Sequence, residues 1–542
     1  MAAAATPLPQ DLPAPRVSGA WPLLGHLLEV RRDPVSFMRR VREECGDVGE
    51  FNMAGNHIVL LTGNDAQEAF FRAPDEQLDQ AAAYPFMKPV FGEGVVFDAT
   101  PEQRKQAMRN QSLRDKFMRT HAEHIAAETA RMIEGWGDSG EIDALDFFSE
   151  LTLYTSSTCL VGKQFRDELN ADFVPLFYDL ERGTDALAYV NPYLPIAALR
   201  ARDRARKELV GRIEAIFARR DAEGGEYSDL FHILRGVKDK EGNPRYTPAQ
   251  ITGMFISMMF AGHHTSSAVA SWTLLDLLMH PEWMRKVTGE LDAIYADGRD
   301  VSFQALREIP TLECAMKESL RLHPPLTILM RKVMTDFRFG DYLIPAGKTV
   351  AVSTVVSNRL PEHFPNPDAY DPERYMPGRD EDRQPFAWIP FGAGRHKCVG
   401  AAFALMQLKA IFSILLRHYE FELAQPMDTY GNDLSKMVVA VKQPCRLRYR
   451  RRAAAEVTAP AAERLVEEAV STKPFCVKAD LDLCQGHAVC MGEAPEVFDI
   501  ARVNDEDKVA LIEEQPSPEL RKKVERAVKY CPTQALRIEE LE

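Results

Sequence analysis

The 542-residue chain has no run of about 18 uncharged apolar residues, so no membrane-spanning helix is predicted. Its opening residues, MAAAATPLPQDLPAPR, lack a basic start and an apolar core, which excludes a secretory signal. Basic charge is not in excess. The 66 Lys+Arg stand against 80 Asp+Glu, and the net charge of −14 argues against nucleic acid or an anionic membrane surface as partners. Cysteine is sparse. The nine present are odd in number and scattered, which fits a reducing cytoplasm with buried or metal-binding thiols. No internal repeat is found. What is left is a globular chain of ordinary apolar content, 45%, too long for one core and therefore of at least two domains.

Ten residues, Phe391 to Gly400 (FGAGRHKCVG), carry the densest chemistry. Gly392, Gly394 and Gly400 permit close backbone approach and turns that a Cβ would forbid. Arg395, His396 and Lys397 put positive charge beside Cys398, which favours thiolate. The following AAFALMQLKAIFSILL has helical periodicity, so helix N-terminal amides would also face the sulfur. A metal-bound thiolate and a structural cysteine in a Gly-rich turn both fit these residues.

Residues 1–20 are Pro- and Ala-rich and read as extended. Helical patterns dominate from Pro34 to Asp239, and short β-like runs occur at His57–Leu61, Phe337–Tyr342 and Thr349–Val352. The clearest element starts at Thr247-Pro248-Ala249-Gln250, with an N-cap Thr, Pro at N1 and Gln at N3, and runs to about His280 before Pro281. Its waist reads FAGHHTSS, residues 260–267. Gly262 weakens a helix interior, and the Thr265 hydroxyl is placed to bond back to the Ala261 carbonyl. Polar residues there fit either a local opening for a small polar ligand or a helix with one hydrogen-bonded face. Further on, Glu318 and Arg321 share a helix face at i,i+3; a surface ion pair is the default reading, with Arg374 a possible third member of a buried cluster.

Together these pieces resemble the cytochrome P450 family. Phe391, Gly394, Cys398 and Gly400 match its haem-ligand signature F-x-x-G-x-x-x-C-x-G. Glu318, Arg321 and Arg374 match its structural triad, and Ala261 to Thr265 its oxygen-activation segment. Residues 84–98, YPFMKPVFGEGVVFD, and AGHHTSS resemble the versions found in sterol 14α-demethylases, although a generic aromatic loop would also fit residues 84–98. The resemblance implies a mainly α fold, helix-rich with small β-sheets, and a haem b ligated by Cys398. It implies Tyr84, Lys105, Arg331 and His396 as holders of the propionates, and Phe86, Phe91 and Met437 as lining of a sterol cavity. It further implies Thr265, His264 and Glu181 as the proton-delivery residues, His264 having an ordinary pKa near neutrality. The implied reaction is three O2-dependent oxidations of a lanosterol-like 14α-methyl sterol, with loss of the methyl as formate. The anchor helix of eukaryotic relatives is not found, so a bacterial soluble form is expected. A P450 acting on another polycyclic lipid, and a non-catalytic haem-thiolate sensor, are the competing readings.

Composition changes after Arg452. Residues 453–471 are Ala/Glu-rich and read as a linker; residues 472–542 read as a small α+β unit. From 453 to 542 there are 11 Lys+Arg and 19 Asp+Glu, giving 11 − 19 = −8, more than half the net charge of the chain. Cys484-Gln-Gly-His487-Ala-Val-Cys490, followed by Cys531-Pro532, resembles a one-cluster bacterial ferredoxin with His487 in the place of the middle cysteine. That implies a [3Fe-4S] cluster on Cys484, Cys490 and Cys531, or a [4Fe-4S] cluster with His487. A Cys3His zinc site is the alternative. Cys476 falls outside the ligand spacing. No reductase module is present, so a separate NAD(P)H-dependent reductase is expected to supply electrons.

Overall fold

The computed structural model describes residues 11–541 other than 101–114, 170–171, 185, 228, 240, 454–472 and 504–505. Its helices begin and end largely where cap residues and prolines dictate. The Thr247 hydroxyl accepts the Gln250 N–H at 3.2 Å, and the Gln250 side chain accepts the Thr247 N–H at 3.0 Å, completing the expected capping box. The helix then runs as Pro248–Met259, a widened π-turn Phe260–His264, and Thr265–Met279. It stops at His280, because Pro281 opens the next helix, Pro281–Ile294.

This long helix packs in the main core with Ala144–Ser156, Pro310–Leu322 and Ala401–His418, around buried Phe148, Leu274, Leu312 and Phe412. Ala401–His418 is long and apolar enough to cross a membrane by length and composition alone, but 72% of it is buried inside the fold. Its Lys409 ammonium pairs with Glu313 at 2.7 Å.

The largest sheet has five strands in the order Val48–Met53, Asn56–Leu61, Thr349–Val352, Leu329–Val333, Leu78–Asp79. Asn56–Leu61 and Thr349–Val352 pair in parallel, and nearly every residue of both is buried. Two of the three β-like runs of the sequence thus lie in one sheet. The third, 337–342, is divided: Phe337–Phe339 and Tyr342–Ile344 form a hairpin around Gly340, whose φ is +56°. Helix does not dominate throughout 34–239, since the first two strands of the sheet interrupt it.

The C-terminal unit has its own core. Phe475–Ala479 pairs antiparallel with Leu536–Glu540, and Phe498–Val503 with Glu506–Leu511. Helices Val489–Glu493 and Arg521–Lys529 cover them, burying Phe475, Val477, Phe498 and Val524. Buried Cys476 faces Glu539, away from the ligand spacing.

Glu318 and Arg321 are not a surface pair. Both are fully buried, 2.7 Å apart, and Arg374 joins Glu318 at 3.1 Å. The carboxylate also accepts the Tyr375 hydroxyl at 2.8 Å and the Asp371 N–H at 2.9 Å. Arg321 and Arg374 spend their remaining N–H groups on the carbonyls of Asn358, Pro367, Ala369 and Asn366, and Arg374 also donates to the Glu381 carboxylate at 2.9 Å. One carboxylate thereby fixes the irregular segment 358–375, which leads into the Cys398 loop. Glu318→Ala leaves the buried Arg321 guanidinium without a carboxylate, while Arg374 keeps Glu381 at 2.9 Å, a defect of about 3–5 kcal/mol. The urea midpoint of the full chain, followed by near-UV circular dichroism, is expected to fall accordingly; an unchanged midpoint would mean that this carboxylate does not hold the segment.

Candidate active site

Cys398 is held by backbone. Its N–H donates to the Phe391 carbonyl at 2.9 Å, and the Gly400 N–H points at its sulfur just before the helix Ala401–His418 begins. Gly394 has a φ of +65°, and a Cβ there would strike the Phe71 carbonyl, so the loop lies flat against the helix Asn64–Arg72 only with glycine at that position. Cys398 has accessible surface although it lies deep among protein atoms, as a side chain lining an interior space does. Ala261, at the waist of the long core helix, is likewise exposed, between buried Phe260 and half-buried Gly262. The expectation of a lowered thiol pKa needs correction for the protein alone. Burial raises it, and outweighs the Gly400 N–H and the Lys397 charge that pull it down. A cation on the sulfur is what would make the thiolate stable here.

Arg331 is a buried cation without a carboxylate at ion-pair distance among the described residues. It donates to the carbonyls of Phe70 and Ala73 at 2.7 and 3.3 Å, and burial pushes its pKa down to about 10. Beside it, the hydroxyl of half-buried Tyr84 accepts the Met330 N–H at 3.0 Å and keeps its own proton to donate. Such a pair suits a carboxylate brought in by a ligand. His396 is already engaged, its Nε2 lying 2.6 Å from Asp75, a partner that sequence reading did not identify. Lys105 lies outside the described residues. A haem would need a donor for its iron and polar groups for its propionates; Cys398 could supply the first, and the Arg331 cation with the Tyr84 hydroxyl the second.

Of the two readings of the helix waist, the structure shows a local widening, the π-turn Phe260–His264. The Thr265 hydroxyl donates to the Ala261 carbonyl at 2.6 Å within the π-turn. Next to it, His264 Nδ1 lies 3.6 Å from Glu181, both side chains 3% exposed. The two are in contact, but Glu181 has a closer partner that sequence reading missed, Lys436 at 3.3 Å. Burial pushes the Glu181 carboxyl up to about 7, with Lys436 pulling the other way. Burial and the Lys436 charge push His264 down to about 3. These shifts run against a histidine titrating near neutrality: burial disfavours charge on His264, and Glu181 is the group raised toward neutrality. The Nε2 atoms of His263 and His264 are buried without a hydrogen-bond partner among the described residues.

Phe86, Phe91 and Met437 meet in one apolar cluster, with Phe91 edge-on to Phe260 of the π-turn at 5.7 Å and Phe86 edge-on to Tyr189 at 5.5 Å. The cluster joins residues 84–98 to the oxygen-side helix. Met437 adjoins Lys436, so the same turn touches both the apolar cluster and the Glu181 carboxyl.

In the C-terminal unit, Cys484, Cys490 and Cys531 line one small pocket together with His487. Gly486, with φ +69°, packs where a Cβ would strike the Asp507 carbonyl. The Cys484 sulfur accepts the Val509 N–H at 3.3 Å. Burial and the neighbouring thiols of Cys531 and Cys484 push Cys490 up to about 12, so a metal must bind for these sulfurs to be thiolates together. Among the described residues, no three His, Cys, Asp or Glu side chains converge on a single-ion site. Three cysteines on one pocket could hold an iron–sulfur centre.

A cysteine loop with accessible surface at its sulfur, a widened turn in the core helix and a buried cation together offer what a haem-thiolate site needs. The Cytochrome P450 family model matches residues 15–448, and the chain belongs to that family. A 4Fe-4S single cluster domain model matches residues 477–538, so the chain joins a P450 to an iron–sulfur domain. The chain is 57% identical over 442 residues to the sterol 14α-demethylase of Mycolicibacterium vanbaalenii, covering 81% of this chain and 98% of that one. It is 38% identical over 444 residues to the sterol 14-demethylase of Arabidopsis thaliana, covering 80% and 90%. The human lanosterol 14-alpha demethylase is 33% identical over 447 residues, covering 81% and 86%. Among solved structures, retinoic acid-bound cyanobacterial CYP120A1 superposes with a TM-score of 0.72 at 22% identity, covering 82% of this chain and 100% of that chain.

The Glu181 carboxyl makes a measurable prediction. Its folded pKa of about 7 lies above the ordinary 4.5, so its contribution to stability is full below about pH 4.5 and is lost as pH rises through about 7. Glu181→Gln stays neutral throughout. Its melting temperature is expected to rise relative to the parent between about pH 5 and 8; a gap that stays constant over that range would show Glu181 ionised from the start.

Proposed function

We propose that the chain is a sterol 14α-demethylase that draws electrons through its own iron–sulfur domain. The observation that carries the substrate class is the 57% identity to a relative of that name, extending over 98% of the relative's length. The site supports it: Phe86, Phe91 and Met437 form an apolar wall against the π-turn that carries Thr265. A haem bound at Cys398 supplies the oxidation of the 14α-methyl group, three times, with release of formate. Arg331 and Tyr84 would hold its propionates. Thr265 presents a hydroxyl at the widened turn, and its bond to Ala261 fixes where that hydroxyl points. Glu181 takes or gives a proton near neutrality, and His264, neutral and with a free Nε2, can pass it inward. Lys436 decides how strongly Glu181 holds that proton.

In this reading residues 1–452 bind haem and sterol, 453–471 link, and 472–542 hold the cluster. Each oxidation takes two electrons, which a one-electron centre passes singly. A flexible tether raises the local concentration of such a donor to the millimolar range. A separate NAD(P)H-dependent reductase feeds the cluster. Three thiols for His487-substituted spacing favour [3Fe-4S], with His487 unligated beside the open corner.

The test is turnover of a sterol labelled at the 14α-methyl carbon by the complete chain with a surrogate ferredoxin reductase. Labelled formate in a one-to-one ratio with demethylated sterol is expected. Hydroxylation elsewhere on the sterol, without formate, would replace this substrate reading with another lipid oxidation. Thr265→Ala is expected to lower product formed per NADH by roughly 10²-fold, the lower end for loss of one proton-transfer group, and to divert electrons to hydrogen peroxide. Unchanged coupling would remove Thr265 from proton delivery. For the cluster, electron paramagnetic resonance of the complete chain as purified is expected to show the oxidised three-iron signal. A silent iron–sulfur centre would assign four irons.

A further inference from the structure

Resting on the reading that the tail delivers electrons, we propose that it does so from a docked position on the Cys398 loop, with Gln485 as the residue that joins the two cofactor loops. Gln485 follows Cys484 directly. Its amide Nε2 donates to the Lys397 carbonyl at 2.9 Å and to the Arg395 carbonyl at 3.2 Å. Lys397 directly precedes Cys398. A single hydrogen bond therefore separates the residue beside one cofactor ligand from the residue beside the other. The orientation of the amide is fixed by chemistry: turned over, its oxygen would face two carbonyl oxygens. The Gln485 Oε1 is buried without a partner among the described residues, so the side chain is held there for its two N–H groups alone.

Polar contacts surround this junction. Arg72 pairs with Asp480 at 3.1 Å. Arg307 pairs with Glu493, which is only 10% exposed, and its guanidinium lies 3.8 Å from the centre of the Tyr530 ring. The Gln534 amide donates to the Asp382 carbonyl at 3.4 Å. The cations belong to the P450 unit and the carboxylates to the tail, whose net charge is −8 from 11 Lys+Arg and 19 Asp+Glu over residues 453–542. Charge pairing of this kind sets orientation and partner choice more than it adds affinity.

In the docked state one electron leaves the reduced iron–sulfur centre and arrives at the haem iron. The centre is oxidised by the electron that reduces the haem, and no bond is made or broken. Because the tail covers the Arg395–Lys397 backbone, a reductase can reach the centre only from the tail's other surface, and a second, free ferredoxin has no access to the Cys398 loop.

The test uses the complete chain with both cofactors and two readouts, one of them independent of electron flow. Hydrogen exchange of the amides at 394–400 and 484–487 reports docking. Haem reduction after photoreduction of the cluster, followed at several protein concentrations, reports transfer. The variants are Gln485→Leu, which keeps size and removes both donors, and Arg307→Glu alone or combined with Glu493→Arg. In the parent, reduction is expected to be first order and independent of concentration. Gln485→Leu is expected to slow it roughly tenfold, the order by which losing two hydrogen bonds shifts a docking equilibrium, with the carbon monoxide spectrum and the cluster signal unchanged. Arg307→Glu is expected to raise exchange in both loops, and the charge-reversed pair to restore it. Parent-like exchange and rate in Gln485→Leu and Arg307→Glu, with first-order reduction retained, would overturn the docked arrangement while leaving tethered delivery intact. Second-order reduction in the parent would overturn tethered delivery itself.

Discussion

The structure depends on keeping one sulfur out of bulk water while leaving it open to an interior space. Burial opposes the thiolate at Cys398, so the loop must return what burial removes. Part comes from the Gly400 N–H and the start of an 18-residue helix, part from Lys397. Most has to come from a metal. The glycines of the loop follow from the same demand, because only a chain without a Cβ at Gly394 lies close enough to the Phe71 carbonyl to hold the sulfur in place.

Three buried charges show three uses of the same physics. Glu318 is fully compensated by two arginines, a tyrosine and a backbone N–H, and works as a structural rivet. Arg331 has carbonyls but no carboxylate at ion-pair distance among the described residues, and so retains affinity for an anion. Glu181 sits between these cases. One lysine and one neutral histidine leave it near the point of changing charge at physiological pH, which suits proton traffic better than a firmly paired carboxylate would.

Local chemistry was legible from sequence, and long-range partners were not. Thr247, Gln250 and Pro281 set the long helix because capping and proline effects act within a few residues. The Cys398 loop and the three cluster cysteines were recognisable from short spacings, and Glu318 with Arg321 from a helix period. The burial of that pair was missed, since an i,i+3 spacing is the same on a surface and in a core. Lys436, Asp75 and Gln485 were missed for a related reason: each acts on a residue far away in the chain, Glu181, His396 and the Lys397 carbonyl. The neutrality of His264 was invisible because an ordinary histidine pKa applies only in water, and both His264 and its partner are 3% exposed. Lys436 could have been suspected from its place next to Met437 in the turn already assigned to the sterol.

The central claim is that Cys398 provides the thiolate to the haem. It is tested most directly by the carbon monoxide difference spectrum of the reduced full chain, compared with that of Cys398→Ser. The account expects the red-shifted thiolate band in the parent and its loss in the variant, with the cluster's paramagnetic signal kept as evidence that the chain still folds. A variant that retains the band would place the thiolate on another cysteine and contradict the account.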